Sequence, residues 1–262
     1  MKENTAQSES FWRNRVWQLA FPLILANLTI PLLGAVDTAV IGDLSAAHIG
    51  AVAVGSTVFS FLYWGLSFLR LSTTGLAAQA YGAGDLEAAL TWVTRAVLLA
   101  VVFGILILLC QMPIVSLTLT LFSPTSSVQI YVQDYVLLRI WGAPAALANL
   151  ALLGWLIGLQ RVKQALVLQV VINGTNIFLD IALAKLLGME VRGVALATMI
   201  SQYVGLAAGL YLILRLKADL NARWNPQATL ERKPLLALMS LNRDIFLRSL
   251  CVIAAVGMFT IQ

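Results

Sequence analysis

ALVLQVVINGTNIFLDIALAKLL, residues 165–187, carries one acid, Asp180, in a run otherwise suited to hydrocarbon. A run of about 20 mostly apolar residues is what an α-helix needs to cross a bilayer core. A charge at the centre of such a helix costs about 2.5–3.5 kcal/mol on insertion scales, so it faces a bundle interior or a wet cavity. Asn173, Asn176 and Asp180 stand three and four residues apart and share one helix face. That stripe offers oxygen ligands to a small hard cation, or a buried carboxyl that takes up a proton. Interhelical hydrogen bonding alone suits the asparagines but suits an aspartate poorly.

The same criterion places spanning segments at about 16–41, 50–70, 92–113, 132–157, 165–187 and 193–215. Composition agrees: 60% of the 262 residues are hydrophobic and 11% charged, with a mean hydropathy of +0.87. The expected fold is an all-α membrane protein, a six-helix transmembrane bundle plus an incomplete seventh helix. Residues 1–15 form a cytoplasmic N-terminal segment, 16–215 the bundle, 216–241 a cytoplasmic linker with Asn-Pro and Lys-Pro breaker signals, and 242–262 the truncated start of helix seven. The acidic, polar "MKENTAQSESF" and the lack of a small-residue cleavage site argue against a removable signal.

With the N-terminus inside, the cytoplasmic ends receive fourteen of the seventeen Lys and Arg, and Lys185 and Arg192 fall outside. Arg139, within the fourth segment, stays unassigned. This positive-inside bias sets the topology of a multi-pass protein with a cytoplasmic N-terminus. The net charge of +5 is therefore distributed for membrane lipid rather than for nucleic acid. Cys110 and Cys251 sit in apolar runs without metal-ligand spacing, and no Ser/His/Asp set, HExxH, phosphate loop or CxxC appears. No enzyme activity, catalytic residue or cofactor is expected.

The first segment holds a second acid, Asp37 in "PLLGAVDTAVIG", residues 31–42. Pro22, Pro31 and Gly34 mark its helix as a hinge, since such residues bend a helix and free backbone carbonyls. Gly154 and Gly158 make a GxxxG suited to close helix packing. His48, the only histidine, is placed in a short outer loop without a partner. Asp134 and Arg139, five apart, suit a local interface role as well as a pathway role.

"AFPLILANLTIPLLGAVDTAVIG", "GLAAQAYGAGDLEAA", "NGTNIFLDIAL" and "LNRDIFLRSL" together resemble the multidrug and toxic compound extrusion (MATE) family, in particular its bacterial DNA-damage-inducible F branch. The resemblance implies an inner-membrane antiporter of two six-helix lobes, exchanging a proton or sodium ion for an amphipathic or cationic small molecule. It implies a cation site at Asp37, Asn176, Asp180 and Thr198, which would also be the sodium ligands, and bending of the first helix at Pro22. It places Tyr135 and Asn149 in the substrate cavity, where Asn173 joins them. Members of the family are about twice this length, so this chain is expected to represent the N-terminal lobe and to lack the C-terminal one. The other readings are a non-transporting membrane fragment serving as an assembly module, and a lipid flippase of the related superfamily.

Overall fold

A computed structural model describes residues 16–18, 20–22, 24–25, 39–40, 42, 45–219 and 226–261. Every regular element among them is helical: α1 Ala46–Gly65, α2 Phe68–Gly82, α3 Leu86–Leu109, α4 Gln111–Phe122, α5 Ser126–Arg139, a 3₁₀ turn Ile140–Gly142, α6 Ala143–Gly158, α7 Val162–Leu179 running into a π turn Asp180–Leu186, α8 Glu190–Asp219, α9 Pro226–Thr229 and α10 Arg232–Ile261. Five stretches are long and apolar enough to span a bilayer: Ala46–Gly82, Leu86–Leu109, Ser126–Gly158, Val162–Leu186 and Glu190–Ala218. They match the second to sixth segments read from the sequence. Most of the first segment lies outside the described residues.

Each helix starts before its predicted segment, because hydropathy locates the part in hydrocarbon whereas the backbone ladder continues into water. Ala46–Gly82, at 37 residues, reaches about 55 Å at 1.5 Å per residue, well beyond a core of about 30 Å. The predicted linker 216–241 needs correcting. α8 runs on to Asp219 and α10 starts at Arg232, ten residues before Asn242. The Lys-Pro pair read as a breaker places Pro234 in the first turn of α10, where an N–H has no helical acceptor to lose.

α6 is the hub. Leu147, Ala148, Ala151 and Trp155 are fully buried, and Trp155 Nε1 donates to the Ala89 carbonyl of α3 at 2.9 Å. A Cβ on Gly154 would stand 2.4 Å from the Arg70 carbonyl oxygen of α2, and one on Gly158 would stand 2.7 Å from that of Thr74. The GxxxG therefore does what its spacing suggests. Lipid tails are as apolar as leucine, so small residues that admit a neighbouring backbone hold such bundles together. Large apolar side chains such as Leu109, Phe178 and Leu186 point outward, as lipid contact requires.

Arg95, counted above as one of the cytoplasmic charges, is buried in α3. Its guanidinium stacks 4.8 Å from the Trp92 ring centroid. Nε donates to the Thr229 carbonyl at 3.1 Å and Nη2 to that of Ala228. A cation thus meets the carbonyl end of α9, satisfying both hydrogen bonding and the helix dipole. Arg95→Gln is expected to release this segment. Charged hydrogen bonds contribute about 1.5–3 kcal/mol each, so amide exchange across residues 226–231 should rise about tenfold or more, with the spanning helices unchanged.

Candidate cation site

α7 presents Asn173, Asn176 and Asp180 to the interior, all nearly or fully buried, while Phe178 and Ile181 between and beyond them are exposed to the lipid side. At Asp180 the ladder widens into the π turn, closed by Leu187 N–H donating to Ala182 O at 3.0 Å. Such turns are rare and often mark functional positions. Gly193 brings α8 against it backbone to backbone: a Cβ there would meet Ala184 Cα and N at 2.6 Å. The chain reverses between the two through left-handed Gly188 and Glu190, φ +64° and +51°. Glycine is suited to the first of these positions and glutamate is not suited to the second.

The reversal sets Thr198 of α8 opposite Asn176. The Asn176 amide donates to Thr198 Oγ1 at 3.4 Å, Thr198 Oγ1 donates to Val194 O at 3.0 Å, and Ser201 Oγ donates to Thr198 O at 2.8 Å. An amide and a hydroxyl are thus joined in the interior, one helical turn along from the buried Asp180 carboxyl. All are hard oxygen donors of the kind that hold a sodium ion, and the carboxyl alone is able to hold a proton. Of the four residues named from the sequence, Asn176 and Thr198 are joined by this hydrogen bond, and Asn173 and Asp180 are buried on the same helix as Asn176. Asp37, Pro31 and Gly34 lie outside the described residues. Pro22 is helical and buried.

The two remaining predicted residues have distinct settings. Asn149 of α6 is buried and its amide donates to Gln202 of α8, at 2.9 Å to the carbonyl and 3.0 Å to Oε1. Gln202 was not identified from the sequence, because only the fold places it four residues along α8 from Thr198 and across from Asn149. Tyr135 is buried with its ring against Gly55, where a Cβ would stand 2.2 Å from Cδ1. Its hydroxyl accepts from Arg139 Nη1, and the guanidinium carbon lies 4.8 Å from the Phe59 ring centroid. The charge left unassigned in the fourth segment is thus cradled by aromatic faces inside the bundle.

One expectation changes. His48 lies in α1 rather than in a loop and has partners: Nδ1 meets Ser45 Oγ at 3.1 Å, Nε2 meets Glu190 Oε2 at 3.2 Å, and the ring packs edgewise on Tyr131 at 4.3 Å. Glu190 is 142 positions away in sequence, which local spacing cannot reveal. Asp134 pairs with Arg192 at 2.9 Å, a contact between α5 and α8 that fits the local role.

The sequence model of a family described as MatE matches residues 22–182. The chain is 44% identical over 247 residues to DNA damage-inducible protein F of Escherichia coli K12, covering 94% of this chain and 54% of that protein. It is 26% identical over 210 residues to a probable multidrug resistance protein NorM of Thermotoga maritima, covering 78% and 45%. The chain spans about half the length of the curated relatives it matches. Among solved structures it superposes on an outward-facing multidrug resistance MATE family transporter of the MOP superfamily with a TM-score of 0.81, at 23% identity, over 93% of this chain and 54% of that one. A MATE in the straight conformation matches with a TM-score of 0.80 at 22% identity, over the same 93% and 54%.

Proposed function

The chain belongs to the MatE family, and we propose that this multi-pass membrane protein is the cation-coupling lobe of an efflux antiporter. Its substrates are amphipathic or cationic small molecules, its coupling ion is a proton or sodium, and it acts as a carrier rather than an enzyme. It sits in the bacterial inner membrane with a cytoplasmic N-terminus, the orientation favoured by its Lys and Arg distribution. The single observation that carries the reading is Asp180, fully buried within a membrane span one helical turn from Asn176, whose amide is bonded to Thr198. A carboxylate in that setting is costly, and its value lies in its ability to exchange charge.

The mechanism follows from that charge. With Asp180 ionised, the locus holds a negative group in a low-dielectric interior and draws in a cation from the outer side. Protonation or sodium binding neutralises it and removes the electrostatic demand on the polar face of α7. The π turn sits at the junction of α7 and α8 and has the loosest ladder in the site, so it is where the two helices readjust. Asp37 has the same role on the first segment, with Pro22, Pro31 and Gly34 allowing that helix to bend. The organic molecule leaves when the cavity near Tyr135 and Asn149 changes shape.

The test is dye movement in proteoliposomes containing the chain. An inward sodium or proton gradient is expected to drive export of ethidium, and collapse of the gradient is expected to stop it. Ethidium movement that ignores both gradients would overturn the coupled reading. A chain that serves only in assembly moves no dye under any gradient.

A further inference from the structure

The polar face of α7 does not end at Asn173. The Gln169 amide donates to Asn173 Oδ1 at 3.2 Å, so Gln169, Asn173, Asn176 and Asp180 form a ladder spaced four, three and four. At 1.5 Å per residue it extends about 16 Å from the acid toward the start of α7. α8 meets it at Thr198, Gln202 of α8 meets Asn149 of α6, and near them on α8 comes Gly205. A Cβ there would meet Ile172 Cγ1 at 2.3 Å and Asn149 Nδ2 at 3.0 Å. Three helices thus converge polar side chains on one interior strip.

Each of the strip's three asparagines has one buried polar atom with no hydrogen-bond partner among the described residues: Asn149 Oδ1, Asn173 Nδ2 and Asn176 Oδ1. The side chains bearing them are at most 5% exposed. Asparagines kept only to join helices pair both ends of their amides, because a buried unpaired group is costly. Here each amide uses one end on the protein and leaves the other open. The open set mixes one donor with two acceptors, which suits water, able to do both, and suits neither an anion nor an apolar ligand.

We propose that Asn149, Asn173 and Asn176, with Gln169 and Gln202, enclose a hydrated compartment through which the coupling cation passes between Asp180 and the side of the membrane where α7 begins. The direction of use rests on the antiport reading; the hydration does not. The open carbonyl oxygens of Asn149 and Asn176 ligate a proton-carrying water or a sodium ion in transit, and the Asn173 amide orients the intervening water. The strip's last member is Gln169, on the half of α7 that leads to Arg161 and Lys163, the end that the Lys and Arg distribution favours for the cytoplasm.

The test uses the whole chain with Cys110→Ala and Cys251→Ala, since both native thiols are exposed. Single cysteines are introduced as Asn173→Cys and Asn149→Cys, with Val170→Cys on the lipid side as control. Each variant is exposed to Ag⁺, a small monovalent cation, in right-side-out and inverted vesicles, and the unreacted thiol is counted with a fluorescent maleimide. Asn173→Cys and Asn149→Cys are expected to react at least tenfold faster than Val170→Cys, and faster from the side of Arg161 and Lys163. Equal reactivity at all three positions, or reaction only from the opposite side, overturns the proposal. A second readout needs no substitution in the strip: water-edited solid-state NMR of the ¹⁵N-asparagine-labelled chain should transfer water magnetisation to the Asn173 and Asn149 amides. Absence of that transfer also overturns it. Neither readout requires transport, so a failure of gradient-driven ethidium export leaves the hydrated strip standing, and a dry strip leaves the export result standing.

Discussion

Asp180→Asn is expected to reduce gradient-driven ethidium export to the leak measured in vesicles without the chain, while the helical bundle remains folded. The substitution keeps the size of the side chain, so its buried place at the end of α7 is retained. It removes the group whose charge the coupling ion neutralises. Stability should be unchanged or higher, because an uncharged amide escapes the penalty, about 2.5–3.5 kcal/mol, that a charged side chain carries at mid-membrane. Loss of export together with a melting temperature no lower than that of the native chain is the outcome that separates a coupling acid from a structural one. Export at the native rate would remove Asp180 from the mechanism. A large fall in melting temperature would mean that the carboxylate chiefly holds the bundle together.

What was legible in the sequence divides along a physical line. Apolar length and the three-and-four spacing of Asn173, Asn176 and Asp180 are properties of one helix, and both survive in α7 and its neighbours. Thr198 depended on family resemblance, because the hydrogen bond that joins it to Asn176 crosses between helices. The π turn at Asp180 left no trace in the side-chain pattern, since it is a change of backbone register. Gln202, the partner of Asn149, and Glu190, the partner of His48, were invisible for the same reason as Thr198: each is brought in by chain reversal. The start of α10 was misplaced because Pro234 was read as a breaker without regard to its position in the first turn. The count of Lys and Arg assigned Arg95 a side of the membrane but not its partner, the carbonyl end of α9. Hydropathy and spacing report the inside of an element well, and they are silent on what other elements bring to it.

The bundle itself rests on positions where no side chain fits, and Gly154→Val should show this most sharply. A Cβ at 154 would lie 2.4 Å from the Arg70 carbonyl oxygen and 3.1 Å from both its carbonyl carbon and Cα. These are backbone atoms in the first turn of α2, so no rotamer change relieves the overlap and the two helices must part. Parting them also lifts Gly158 from Thr74, because both glycines lie on one face of α6. Forcing bulk into a packed interface costs about 1–3 kcal/mol, more where backbone has to move, and in lipid no hydrophobic gain between helices offsets it. At a few degrees per kcal/mol for a chain of this size, melting in detergent should fall by on the order of 10 °C. The matched control is Gly174→Val on α7, where a Cβ meets nothing within 4 Å. There valine replaces a poor helix former and should leave melting within a degree or two of the native chain, or slightly above it. Equal melting of the two variants would mean that α2 and α6 are not held by backbone contact at the GxxxG. A selective fall at 154 would fix that contact as the scaffold on which α6 holds Asn149 toward α8 and the cation site.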